Sequence, residues 1–122
     1  MAISKITHRV NSLTPGVVTL FGSFFPQGTS APVAGEGKGF TATRTGVGTY
    51  LLTFDDTLIG ITPIVSIQEA SAADTTVTVG DYTAASKTLQ IRIYEAGSAA
   101  DPAADANASV NFVVFARNST VN

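Results

Sequence analysis

Apolar side chains in this chain recur at every second residue rather than every third or fourth, and that period restricts the fold to β structure. In KTLQIRIYEA, residues 87 to 96, Leu89, Ile91 and Ile93 alternate with Gln90, Arg92 and Tyr94. SVNFVVFAR, residues 109 to 117, repeats the pattern with Val110, Phe112, Val114 and Ala116. Successive side chains of a strand point to opposite faces, so each run offers one face to a core and the other to the surface. Tyr50, Leu52 and Phe54 in GTYLLTF, residues 48 to 54, make a third core face. KGFTATRT, residues 38 to 45, precedes it across Gly46, Val47 and Gly48, the spacing of a hairpin. Runs at 17 to 25 (with Gly22 as a candidate bulge), 63 to 70 and 75 to 82 bring the count to seven. The expectation is all-β: a single antiparallel β-sandwich or jelly-roll-like domain of about seven to eight strands.

Two segments stand outside that scheme. Residues 1 to 16 alternate weakly and read as an N-terminal arm or edge strand, leaving 17 to 122 as the sandwich domain. PQGTSAPVAGEGKG, residues 26 to 39, predicts a long Pro/Gly/Ser loop, and TAASK, residues 83 to 87, a single helical turn.

The acidic phrase EASAAD, Glu69 to Asp74, returns as EAGSAAD, Glu95 to Asp101. If consecutive strands alternate in direction, loops 45 to 48, 70 to 74 and 96 to 108 share one end of the sandwich, and loops 55 to 62 and 81 to 86 the other. Both copies then shape one small-residue surface, with Val47, Ser71, Asp74, Ser98, Asp101 and Asp105 as its candidate contact residues. Each Glu-Ala is expected to close a strand and each Ser-Ala-Ala-Asp to turn the corner. Removal of Asp101 and Asp105 together is expected to change stability by less than about 1 kcal/mol, as surface changes do.

Composition narrows the chemistry. A chain of 122 residues, 44% hydrophobic and only 13% charged, leaves Thr, Ser, Asn and Gly to solvate its surface, which suits sheets and protein contacts. A net charge of −2 gives no field that would draw nucleic acid or an anionic membrane, so neither is expected as a partner. With no cysteine there is no disulfide, thiolate site or cysteine nucleophile. No signal-peptide run and no stretch near 18 apolar residues is present, so the chain is expected to be made in a cytoplasm and soluble.

Catalytic constellations fit poorly. The single histidine, His8, lies in the arm with no acid near it in sequence, so serine–histidine catalysis is not supported. GEGKGF, residues 35 to 40, lacks the P-loop spacing and leads into a strand. Asp101, Asp105 and Asn107 could offer oxygens to calcium, but at no EF-hand spacing and with alanines between them. A sugar-cleaving carboxylate pair would need an aromatic cleft, and the chain has no Trp. No enzymatic activity, cofactor or metal is expected.

The motif G-F-T-x-x-R-T-G-x-G-T-Y-x-x-T-F, Gly39 to Phe54, and the segment S-A-A-D-x-x-A-D-A-N-x-x-V-N-F, Ser98 to Phe112, resemble small structural proteins of tailed bacteriophages and related β modules of phage fibres. The similarity spans about residues 20 to 118. It implies a virion component at the capsid surface, made in the host cytoplasm. A chain of this size beginning at its own methionine resembles a capsid decoration, or cement, protein: a homotrimer that binds the major capsid protein and stabilises the shell. On that reading the arm residues Lys5, His8 and Arg9 clamp the shell together with one loop end, and the strand faces supply core and intersubunit contact. The alternative implied is a fibre-tip or receptor- and glycan-binding module of a tail or head fibre.

Overall fold

A computed structural model describes residues 17–69, 74–105 and 108–118. Among the described residues nine strands follow one another: β1 (Val17–Gln27), β2 (Ser30–Gly37), β3 (Phe40–Gly46), β4 (Thr49–Phe54), β5 (Leu58–Gln68), β6 (Thr75–Thr83), β7 (Thr88–Glu95), β8 (Ser98–Ala99) and β9 (Ser109–Asn118). They form two antiparallel sheets, sheet I in the order β2-β1-β9-β5 and sheet II in the order β3-β4-β7-β6, with β8 paired to β7. The chain is therefore an all-β sandwich.

The core lies where the alternation puts it. Tyr50, Leu52 and Phe54 of β4 and Leu89, Ile91 and Ile93 of β7 face Phe24 of β1 and Val110, Phe112 and Val114 of β9, all buried. The central strands of each sheet thus bury one face, and the regular period of two in their sequences follows from that asymmetry. Phe40 of β3 reaches across from sheet II to meet Phe112 edge-on, with ring centroids 4.8 Å apart. Gly22 makes that contact possible, since a Cβ there would run into the rings of Phe40 and Phe112.

Three expectations need correction. Residues 26 to 39 are not a long loop: they turn at Gly28 and return as edge strand β2. The bulge expected at Gly22 of β1 belongs to that strand. β1 pairs with β9 without a break from Val17↔Arg117 to Phe24↔Val110, while against β2 the register slips twice, each time by an extra β2 residue. Ser23 Oγ occupies the first slip and accepts the Glu36 N–H at 2.9 Å, which satisfies a hydroxyl otherwise buried. TAASK is a hairpin turn between β6 and β7, closed by Lys87 N–H to the Ala84 carbonyl, and not a helical turn.

The loops sort by end as strand direction requires. At one end, the Gly28 N–H donates to the Pro102 carbonyl and the Ala96 N–H to the Asp74 carbonyl, both at 2.8 Å. At the other, Phe54 N–H donates to the Lys87 carbonyl and Leu58 N–H to the Tyr82 hydroxyl.

Candidate functional site

The two copies of the acidic phrase touch through Asp74 and Ala96 and use their residues differently. In the second copy, Glu95 ends β7 and pairs with Ser98 across a two-residue turn of Ala96 and Gly97, at φ of 50° and 85°. Those angles are of the primed type that matches strand twist. Ser98 and Ala99 then run back along β7 as β8, so Ala-Gly, and not Ser-Ala-Ala-Asp, turns the corner. In the first copy, residues 70 to 73 lie outside the described residues.

Asp101 departs most from its sequence reading. Its carboxylate is turned inward, 8% exposed, and receives Arg44 in a two-point clasp, Nη2 to Oδ2 at 2.7 Å and Nε to Oδ1 at 3.1 Å. Oδ1 also accepts the Gly48 N–H at 2.9 Å and faces the Tyr50 hydroxyl at 3.3 Å. Arg44 occupies an inward position of β3, after Phe40 and Ala42, so its guanidinium needs a counter-charge. The β3–β4 turn can reach that carboxylate only because residue 48 is glycine. Its φ is +66°, and a Cβ would strike the Ile93 carbonyl and the Ala100 backbone.

The electrostatics follow from this geometry. The hydrogen bonds from Arg44 hold the Asp101 carboxyl below its ordinary 3.8, aided by the Gly48 N–H against the cost of burial. The same hydrogen bond raises Arg44 above its usual value. Burial, followed by the nearby Asp101 charge, pushes the Tyr50 phenol up to about 12. Four groups from β3, β4, their turn and the loop before β9 therefore form one latch, which fastens the β8–β9 loop to sheet II.

Around the latch, Val47, Asp74, Ser98 and Asp105 are exposed at one end of the sandwich. Between Pro26, Ile67, Thr75, Glu95, Pro102 and Asp105 lies a cleft of about 360 Å³ with no aromatic ring among the described residues that line it. Ser71 and the arm residues Lys5, His8 and Arg9 lie outside the described residues.

No family model, no curated protein and no solved structure matches the chain.

A second surface escaped the sequence reading. On the outer face of sheet I, Phe21 of β1, Val113 of β9 and Ile64 of β5 stand on one rung, with Phe115 one rung along. Phe21 is 59% exposed, Ile64 58% and Phe115 43%. No local pattern announces this row, because it depends on the register of three strands distant in sequence.

Proposed function

We propose that the protein is a structural component of a tailed-bacteriophage virion, a decoration protein that binds the outer capsid surface as an oligomer and stabilises the shell. The observation that carries this reading is the latched loop end. Arg44, Gly48 and Tyr50 hold the loop through Asp101, and the Gly28–Pro102 and Ala96–Asp74 backbone bonds tie in the neighbouring turns, so these described parts of the small-residue end are fixed in place before any partner arrives. Preordered backbone with little side-chain bulk docks without a large entropy cost. The resemblance of the Gly39 to Phe54 hairpin and the Ser98 to Phe112 segment to phage structural proteins supplies the setting. Many copies on a lattice make a weak single contact effective. The major capsid protein is the partner, and no reaction is involved.

Glycan binding as a fibre-tip module finds less support, since the loop-end cleft offers no ring for a sugar to stack on. Purified protein incubated with expanded capsids, host cells and cell-surface polysaccharide separates the two. Saturable binding to capsids alone supports decoration, and binding to cells or polysaccharide without capsid binding overturns it.

A further inference from the structure

The outer face of sheet I is built for contact rather than for water. Its four strands carry only two charged residues, Glu36 on β2 and Arg117 on β9. The centre is the Phe21–Val113–Ile64 rung, flanked by a Ser23–Asn111–Ser66 rung on one side and a Thr19–Phe115–Thr62 rung on the other. A groove of about 360 Å³ runs between Phe21 and Ile64 over Asn111 and Val113, with Glu36 at its rim. The face therefore presents both apolar knobs and a hollow of matching chemistry.

We propose that this face is the docking surface for a second copy of the same chain, related by a two-fold axis lying in the interface beside Phe21. The two charges favour this occupant. Arg117 pairs with Ile59 at one end of the face, while Glu36 sits beyond β1 at the level of Ser23. By strand spacing and rise they are roughly 20 Å apart, too far to meet within one chain. A two-fold axis near Phe21 carries Arg117 of each copy onto Glu36 of the other, closing two reciprocal ion pairs at the rim of an uncharged centre. The flanking Ser, Asn and Thr side chains both donate and accept, so they too are self-matching.

Size agrees with this assignment. Four strands at about 4.8 Å and eight residues at about 3.3 Å make a footprint of roughly 500 Å² per copy. The pair then covers about 1,000 Å², the lower range of specific interfaces. An isologous contact of this kind closes as a dimer, in place of the three-fold arrangement that the sequence resemblance implies. The interface stands on this face alone and not on the capsid role.

Sedimentation equilibrium of the full chain tests it, with circular dichroism as a check of folding. Wild type is expected to dimerise. Phe21→Lys is expected to weaken association about 30-fold or more while staying folded, as loss of a central aromatic anchor does. Arg117→Glu is expected to weaken it about tenfold, and adding Glu36→Arg to restore it. A wild type that is monomeric at every concentration overturns the interface, as does an oligomer indifferent to both Phe21→Lys and Arg117→Glu. A monomer that still binds capsids removes the interface and leaves the capsid reading, whereas a dimer that binds none does the reverse.

Discussion

The two outer faces of the sandwich have the same strand architecture and opposite surface chemistry. On sheet II, Thr41, Thr53, Thr88 and Thr83 form a rung across all four main strands, and Thr49 and Thr78 flank Arg92 on another. The Arg92 guanidinium lies along the sheet and donates to Gln90 Oε1 at 2.7 Å. Threonine satisfies strand preference with a branched Cβ and water with its hydroxyl, so this face is finished as it stands. On sheet I the corresponding centre is Phe21, Val113 and Ile64. A chain able to solvate one sheet with threonine has no structural need to expose phenylalanine on the other. The proposed dimer accounts for the difference, with sheet I docked on its copy and sheet II left to solvent.

Both faces depend on the shared core, and Phe112→Ala should break the comparison most completely. Loss of that buried ring, with its edge contact to Phe40, is expected to cost about 3–5 kcal/mol by chemical denaturation. Next comes the latch that holds the β8–β9 loop on sheet II. Asp101→Ala leaves the Gly48 N–H and the inward Arg44 without their acceptor, and a loss of about 2 kcal/mol is expected. This replaces the sequence-based expectation of a near-neutral change. The same result with Asp105→Ala alone would place the effect in the loop and not in the latch.

The latch also predicts how stability follows pH. Because the folded carboxyl of Asp101 lies below its ordinary 3.8, its contribution is complete above that pH and is lost as pH falls through the folded value. Wild type and Asp101→Asn should converge in acid. Tyr50 has the opposite sign: its folded value is raised from 10.0 to about 12, so its contribution is complete below pH 10 and is lost on the way to about 12. Unfolding curves followed by circular dichroism across both ranges check the two signs.

Smaller effects sharpen the contrast. Ala96 holds a φ of 50° that a Cβ disfavours, and Ala96→Gly is expected to raise stability by about 1 kcal/mol without altering either face. Thr53→Lys on sheet II should change stability by no more than about 0.5 kcal/mol and leave association untouched. An equal loss of association from Thr53→Lys and Phe21→Lys would erase the distinction between the faces.

Legibility in the sequence tracks local asymmetry. Strands β4, β7 and β9 bury one face and wet the other, so Tyr50, Leu89 and Phe112 could be assigned inward from spacing alone. Strand β2 could not, because SAPVAGEG at a sheet edge is held by backbone pairing and two slips in register, and its exposure never settles into a period of two. Arg44 and Asp101 lie 57 residues apart, beyond any local signal. The one available clue was an arginine on the inward parity of β3, a position that demands an acid from elsewhere. The Phe21–Val113–Ile64 row lay deeper still, since each residue is unremarkable in its own strand and only register unites them.

The distinction between the faces is tested most directly by hydroxyl-radical footprinting of the full chain at low and high protein concentration. Phe21, Ile64 and Phe115 are predicted to react readily in dilute solution and to become protected as concentration rises, while Leu51 and Tyr94 on sheet II keep a constant reactivity. Protection that grows equally on both faces, or on sheet II alone, would contradict the account.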